Sequence, residues 1–266
     1  MSEPLDRLRK IVAQLREPDG CPWDREQTHK SLREGLLEEC YETIDAINRS
    51  DDENLREELG DLLLHVVMHS HIASERSTFS LDDVIVNVCE KLIRRHPHVF
   101  GDKKSVDTAG VLLQWDEIKR AEKVDQGKTG SLLSEVPQAF PALLRAQKIQ
   151  KKAASVGFDW PDAAPVLDKI REETNELSEA MEEKNAAAIA EEMGDLLFSV
   201  VNLARKLKLN AEFTLTEATD KFVRRFEKVE SHVRTRNQQM EDLPLSELDE
   251  IWNTVKNEDR NEVRRY

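Results

Sequence analysis

The chain has 266 residues and a formal net charge of −14 at neutral pH, which argues against nucleic acid or an anionic membrane as its main partner. Apolar residues make up 39% and charged residues 35%, with only 9 Gly and 9 Pro, and this mixture favours amphipathic helices over a β-sheet. The three cysteines form no CxxC pair and no apolar run reaches membrane-spanning length. We therefore expect a cytoplasmic protein with reduced thiols.

Apolar residues recur at helical spacing through the first half, and capping or breaking residues bound the runs. A first helix over Leu5–Leu15 ends before Pro18 and Gly20. Ser80 is a typical N-cap for the fourth helix, which must stop before Pro97. The spacing predicts helices at 5–15, 29–48, 54–73, 81–95 and 109–123.

An internal repeat links this half to the second. Glu57–Val67 (EELGDLLLHVV) aligns with Glu191–Val201 (EEMGDLLFSVV) at an offset of 134 residues, with 8 of 11 positions identical. The earlier EECYE, at 38–42, falls on EETNE, at 172–176, at the same offset. Such a constant offset indicates a duplicated module.

The second half follows the same scheme of amphipathic helices. They are predicted at 138–155, 163–184, 187–207, 213–236 and 245–257. We predict an all-α protein of two tandem helical-bundle domains, 1–125 and 137–266. Residues 126–136, rich in Gly, Ser and Lys, are predicted to be the linker.

Each half carries two pairs of acids on consecutive predicted helices, ExxE and then ExxD. Residues three apart share one helix face, and fifteen residues between the pairs allow an antiparallel hairpin, so the pairs can face each other. A single ExxE is typical of a solvated surface, but two pairs at equal spacing in both halves, beside apolar stripes, favour a metal site. The acids are Glu39, Glu42, Glu58 and Asp61 in the first half, and Glu173, Glu176, Glu192 and Asp195 in the second.

Four converging carboxylates repel one another, and a divalent cation removes that conflict. All-oxygen ligands favour Mg²⁺, with Mn²⁺ as a substitute, over zinc or iron. An oxidative di-iron bundle would place His where Asp61 and Asp195 stand. His65 lies one turn beyond Asp61, but its counterpart is Ser199, so this histidine is not part of the repeated pattern.

Together these motifs resemble the MazG family of all-α nucleoside triphosphate pyrophosphohydrolases, and in particular the long bacterial form with two tandem modules. The resemblance extends from CPWDREQT through RRHPHVF, RAQKIQKKA and GFDW to the final IW-xxx-K. It implies Mg²⁺-dependent hydrolysis of ribo- and deoxyribonucleoside triphosphates to the monophosphate and pyrophosphate, with broad base specificity. It also implies a homodimer in which neighbouring subunits complete the bundles.

The resemblance further implies roles for individual residues. The four acids of the second half would bind the metal, and Glu172, which leads EExxE, is a candidate to orient or deprotonate the attacking water. The candidates for nucleotide binding are Lys169, Lys221, Arg224, Arg225, Trp252 and Lys256. A basic surface for the charged residues and core packing for the tryptophan are equally open interpretations.

The two halves differ beside their acids. Lys169 lies four residues before Glu173, and its counterpart in the first half is Gly35; Asn202 has Met68 as its counterpart. We therefore expect most turnover in the C-terminal half, whereas the N-terminal half keeps acids that can bind metal. Two alternatives stay open: a regulatory or scaffold dimer that binds nucleotide and Mg²⁺ without turnover, and a narrow enzyme for one damaged or deoxy nucleotide.

Overall fold

The computed structural model describes residues 3–101, 107–125 and 131–263. They form α-helices and two short 3-10 helices, and no strand occurs in this part of the chain, which confirms the all-α prediction. The chain divides into two compact units, Met1–Lys128 and Thr129–Tyr266. This division falls within the predicted linker 126–136, of which residues 126–130 lie outside the described residues.

The first unit is a bundle of amphipathic helices in which α4 packs against α1, α3 and α5. Its helices are α1 (Glu3–Arg16), α2 (Pro22–Glu26), α3 (Arg33–Arg49), α4 (Asp52–Glu75), α5 (Leu81–Arg95), α6 (Pro97–Phe100) and α7 (Thr108–Asp125). Its core contains Val12, Leu32, Val67, Met68, Ile72 and Leu81. The apolar stripes that marked these helices in the sequence therefore meet in one cluster.

The second unit repeats this plan, with α10 packed against α8 and α9, and α11 against α12. Its helices are α8 (Ala142–Ala154), α9 (Ala164–Glu182), α10 (Ala186–Lys206), α11 (Ala211–Thr235) and α12 (Leu245–Val263). One core cluster contains Val229, Val233, Ile251 and Val255. No helix in the described ranges combines the length and the apolar character needed to cross a membrane.

Helix ends follow local chemistry. The predicted N-cap Ser80 accepts the backbone N–H of Asp83, whose carboxylate in turn accepts the backbone N–H of Ser80, and this reciprocal pair is a capping box. At the end of α1, a Cβ on Gly20 would clash with the carbonyl oxygens of Gln14 and Leu15, so only glycine allows the chain to turn there.

The structure differs from the predicted helices at several places. The second helix begins at Arg33 rather than at residue 29, because the hydroxyls of Thr28 and Ser31 accept each other's backbone N–H and stabilise a turn. Two short helices that were not predicted begin at Pro22 and Pro97. Residues Leu132–Glu135 of the predicted linker form a 3-10 helix that packs against α8.

A short turn joins α3 to α4, and an equivalent turn joins α9 to α10. Ser50 and Lys184 both adopt the left-handed conformation there, with φ of 54° and 56°, and they lie 134 residues apart. The next residues, Asp51 and Asn185, cap the following helix through their side-chain oxygens. The same hairpin therefore brings the two acid pairs together in each unit.

Candidate functional site

In the second unit three carboxylates meet between α9 and α10. One oxygen from each of Glu173, Glu176 and Glu192 lies within 4.8 Å of the other two. Glu173 is only 3% exposed. Oxygens bound to a single Mg²⁺ at about 2.1 Å lie roughly 3–4 Å apart, so this group needs only small side-chain movements to bind one ion.

The first unit brings three acids together in the same way between α3 and α4. One oxygen from each of Glu39, Glu58 and Asp61 lies within 4.8 Å of the others, and Glu58 is buried. The first trio takes one acid from its first helix and two from the next, whereas the second trio takes two and one. The hairpin is repeated, but the arrangement of its oxygens is not identical.

The fourth acid of each set, Glu42 or Asp195, lies outside these close groups but within electrostatic range. Glu42 contributes to raising the pKa of Glu58, and Asp195 contributes to raising that of Glu192. A metal site of four acids therefore needs a larger movement at Glu42 and Asp195 than at the other six.

The acids carry the electrostatic signature of a site that a cation would stabilise. Desolvation is the largest cause of the raised pKa of Glu39, Glu58, Glu176 and Glu192, and repulsion by neighbouring carboxylates adds to it. Such acids hold protons more tightly than solvated glutamates. A hard divalent cation would relieve both the repulsion and the loss of hydration, so the residues present fit Mg²⁺.

Lys169 gives the second site an ammonium group that the first lacks. Its Nζ lies 2.6 Å from Oε1 of Glu173 and 2.8 Å from Oε1 of Glu172. Hydrogen bonds to Glu172 and then to Glu173 raise the pKa of Lys169, so it is positively charged at neutral pH. This single cation therefore holds the buried metal-ligand candidate and the candidate water-orienting carboxylate side by side.

In the first unit an imidazole lies where the lysine would be. A Cβ on Gly35 would lie 3.3 Å from Cε1 and Nε2 of His65, and the counterpart of His65 is Ser199. The pair Gly35 and His65 thus replaces the pair Lys169 and Ser199. In the first unit the small residue is on α3 and the large one on α4, whereas in the second unit the large residue is on α9 and the small one on α10. The first unit therefore has no lysine at the position beside its acids.

Asn202, expected to enrich the second site, is buried and accepts hydrogen bonds from Arg205 at Nε (3.1 Å) and Nη2 (2.6 Å). Arg205 and Lys206 also bind Asp159, where they lower the carboxyl pKa to about 2. The amide oxygen of Asn202 therefore supports the GFDW turn that precedes α9. No role had been predicted for Asp159, Arg205 or Lys206.

The candidate nucleotide-binding residues of α11 and α12 form a separate group. Arg225 Nε donates to Asp259 Oδ2 at 2.8 Å, and Trp252 contacts the ring of Phe222 and packs against the core. Arg225 is thus held in a helix–helix ion pair and Trp252 is partly a packing residue. No hydrogen bond or ion pair in the described ranges connects Lys221, Arg224 or Lys256 to the acids of α9 and α10.

The equivalent helices of the first unit repeat this contact. Arg95 and Arg94 both bind Glu122 and lower its pKa to about 2. Lys119 Nζ lies 4.3 Å from the ring centroid of Trp115, a cation–π distance. The arginine–acid pair between the last two long helices is therefore common to both units.

Comparison with known proteins assigns the family. The model of the MazG nucleotide pyrophosphohydrolase domain matches the chain twice, at residues 27–100 and 164–234. The chain belongs to the MazG family. The two matches contain all eight candidate metal ligands, whereas Trp252 and Lys256 lie beyond the second match.

Similar proteins of known name support this membership over almost the full length. The chain is 48% identical over 255 residues to the nucleoside triphosphate pyrophosphohydrolase/pyrophosphatase MazG of Thermotoga maritima, covering 96% of both chains. It is 45% identical over 258 residues to the nucleoside triphosphate pyrophosphohydrolase of Escherichia coli K12, covering 96% of this chain and 98% of that protein. A protein of the latter name in Mycolicibacterium smegmatis is 43% identical over 160 residues, covering 59% of this chain and 48% of that protein.

The first MazG module also contains a histidine cluster that the sequence analysis missed. Nδ1 of His29 lies 2.8 Å from Nδ1 of His69, and the ring centroids of His65 and His69 are 6.2 Å apart. Burial, and then His29 and His65, lower the pKa of His69. The four-residue spacing of His65 and His69 on a helix was the available signal. Only His65 was considered, as a possible di-iron ligand, and it was set aside because its counterpart in the second module is Ser199.

Proposed function

We propose that this MazG protein hydrolyses nucleoside triphosphates, both ribo- and deoxyribonucleotides, to the monophosphate and pyrophosphate in a Mg²⁺-dependent reaction. The observation that carries the proposal is the acidic trio between the hairpin helices of each MazG module. The names of the full-length relatives from Thermotoga maritima and Escherichia coli agree with this chemistry. The substrates are the nucleotide pools of the cytoplasm.

Glu173, Glu176, Glu192 and Asp195 would hold Mg²⁺ in the second module, and the four equivalent acids would hold it in the first. When bound, Mg²⁺ neutralises the triphosphate and lowers the pKa of a coordinated water. The protein's own contribution is a preformed group of oxygens with Glu173 buried at its base. Mn²⁺ has similar ligand preferences and is expected to substitute.

Glu172 is the candidate for orienting the attacking water and accepting its proton. Its side chain is 57% exposed, while Lys169 binds one of its oxygens. No hydrogen bond to the other oxygen is seen within the described residues, so that oxygen would be the one to contact a water. Lys169 also lies where its charge would stabilise the negative charge that builds on the phosphate as the water attacks.

Most turnover belongs to the second module, because among the described residues Lys169 forms ion pairs with acids of this site and no lysine or arginine does so in the acidic trio of the first module. The first module has Gly35 at that position and the ring of His65 against it. An acidic trio without the lysine can still bind a divalent cation, but it lacks one of the charges that hold a triphosphate. We therefore assign metal binding to both modules and efficient hydrolysis to the second.

Further basic residues are candidates to hold the phosphate tail. Lys221 and Arg224 project from α11 and Lys256 from α12, and Arg225 is available only if its pair with Asp259 opens. Trp252, which is partly exposed, would stack on a base through the face of its ring. Stacking does not distinguish one base from another, in agreement with broad base specificity.

A homodimer accounts for the apolar surface of the helices that carry the acids. Met193, Leu197 and Val200 on α10 are 44%, 52% and 46% exposed. Leu59, Leu63 and Val66 occupy the corresponding positions of α4 and are also exposed. Contiguous apolar residues on an isolated chain mark an interface, and a second copy is the partner that the family resemblance implies.

A panel of ribo- and deoxyribonucleoside triphosphates, with phosphate and pyrophosphate measured separately, tests the reaction. Mg²⁺-dependent release of pyrophosphate from several bases is the expected result, with little free phosphate. Binding of nucleotide and Mg²⁺ without product would favour the regulatory dimer instead. Turnover of one nucleotide alone would replace broad specificity by a narrow pocket.

A further inference from the structure

Among the described residues of the first module, His65, His69 and His98 each have one buried ring nitrogen that makes no hydrogen bond, and His65 and His69 lie on the same helix, α4. Within the described residues, Nδ1 of His65 and Nε2 of His69 are shielded from solvent and make no hydrogen bond. A buried polar atom without a partner costs roughly 1–3 kcal/mol. His65 and His69 lie one helical turn apart, so a single bound ligand could satisfy both nitrogens.

The spacing of the pair is suited to a metal ion. His65 and His69 lie at i and i+4 on α4, the separation at which two histidines of one helix bind zinc. Their ring centroids are 6.2 Å apart and their planes are tilted by 32°. At this spacing the two residues share one face of α4, and each ring has one buried nitrogen that makes no hydrogen bond within the described residues.

The surroundings hold both rings in place. Nδ1 of His69 is within hydrogen-bond distance (2.8 Å) of Nδ1 of His29, which leaves Nε2 of His69 as its free nitrogen. Histidines that bind metals are commonly oriented by a hydrogen bond at the other nitrogen. His65 lies with Nε2 against the backbone of Gly35, and its Nδ1 is the atom left over. The lowered pKa of His69 also keeps this ring neutral, which is the form that binds metals.

We propose that the first module binds a transition-metal ion of the zinc type through Nδ1 of His65 and Nε2 of His69, with His29 orienting His69 and water completing the coordination. Nitrogen donors favour Zn²⁺ over Mg²⁺, so this site is chemically distinct from the acidic trio one turn away. The counterparts of His65 and His69 in the second module are Ser199 and Leu203, so the site is specific to the first.

The test is a titration of intact, untagged, metal-stripped protein with Zn²⁺ in excess Mg²⁺, which saturates hard-ion sites. Calorimetry is expected to show one equivalent of Zn²⁺ bound per chain. Co²⁺ added in place of Zn²⁺ is expected to give visible absorption bands of nitrogen ligation. Absence of binding under these conditions would overturn the proposal, and so would a Co²⁺ spectrum typical of oxygen ligands alone.

Matched variants locate the site. His65→Gln and His69→Gln are each expected to weaken Zn²⁺ binding by about tenfold or more, and His29→Phe by about tenfold. His71→Gln is the control, because His71 is on the same helix but its Nε2 lies 3.5 Å from Glu75. Equal affinity in His65→Gln, His69→Gln and wild type, or an equal loss in His71→Gln, would contradict the assignment.

Two further measurements separate this site from folding and from hydrolysis. Melting temperatures without Zn²⁺ show whether each glutamine variant is folded, and a Zn²⁺-dependent increase in melting temperature is expected in wild type and His71→Gln but not in His65→Gln or His69→Gln. Glu39→Gln is expected to retain Zn²⁺ binding, whereas its loss would assign the ion to the acidic trio. No nucleotide is present, so failure here leaves the proposed hydrolysis untouched.

Discussion

The two modules of this chain share a hairpin but differ in one exchange beside their acids. Lys169 binds Glu172 and Glu173 in the second module, whereas in the first the ring of His65 lies against Gly35. Both modules gather three carboxylates to within 4.8 Å. The repeated acids therefore form a candidate metal site in each module. The residue one helical turn before the first acid, Lys169 or Gly35, determines whether that site also has a positive charge suited to a triphosphate. Five experiments, in order of decreasing expected effect, would break or sharpen this comparison of the modules.

The largest expected effect comes from removing the buried acid Glu173, compared with removal of its equivalent, Glu39, in the first module. Glu173→Gln is expected to lower kcat/KM for pyrophosphate release by about 100-fold or more, because it removes a metal ligand from the module with the lysine. Glu39→Gln, the equivalent change in the first module, is expected to leave turnover within about twofold. Equal losses in the two variants would end the functional contrast between the modules.

Metal removal should affect stability in both modules. If Mg²⁺ binds only the folded state, saturation at about 100 times Kd adds about 2.7 kcal/mol per site. Thermal unfolding in Mg²⁺ compared with EDTA measures this increase in stability. Glu173→Gln should abolish the increase that comes from the second module, and Glu39→Gln the increase that comes from the first. A melting temperature that is the same with and without Mg²⁺ would contradict both metal sites.

A smaller change in activity is expected when the lysine is removed. Lys169→Met is expected to lower kcat about tenfold, because the charge beside Glu172 and Glu173 is lost while the metal ligands remain. Arg171→Met is the matched control, since Arg171 is on the same helix and its ion pair is with the exposed Asp168. If the two variants retain equal activity, Lys169 has no special role.

The smallest expected effect concerns the ion pairs that hold each module together. The pKa of Asp159 is lowered to about 2, so its contribution to stability is complete above the unfolded pKa of about 3.9 and is lost as the pH falls through about 2. Asp159→Asn is expected to destabilise the second module by about 1 kcal/mol at pH 7 after allowance for solvent screening. The difference from wild type should vanish near pH 2.

Glu122→Gln makes the equivalent test in the first module, where Arg95 and Arg94 lower the glutamate pKa to about 2. A loss of similar size, with the same dependence on pH, is expected in chemical unfolding of that module. A destabilisation that persists unchanged to pH 2 in either variant would show that packing, and not the ion pair, is responsible.

Most of the fold could be predicted from the sequence, because helical spacing, caps and the repeat all agree. The acid pairs were found for the same reason: three-residue spacing fixes a helix face, and the constant offset fixes the hairpin. The turn at Thr28 and Ser31 was missed because it depends on side-chain hydroxyls competing with the helix for backbone N–H groups.

Contacts between residues distant in the sequence were harder to predict from the sequence. The contact of His65 with Gly35 depends on how α3 and α4 pack, and helical spacing does not give that distance. Asn202 was expected beside the acids, but its oxygen is taken by Arg205. Arg225 was expected to bind phosphate, and its engagement with Asp259 depends on the packing of α11 against α12.

The first module has Gly35 and His65 where the second has Lys169 and Ser199. This difference also limits which substitutions each module can accept. A long side chain introduced at Gly35 would collide with the imidazole of His65, whose nearest atoms are only 3.3 Å from the Cβ position. Replacing His65 alone with a smaller residue would leave a void beside Gly35. Positions 35 and 65 are therefore coupled, and a lysine at position 35 is expected to be accommodated best when His65 is replaced by a small residue at the same time.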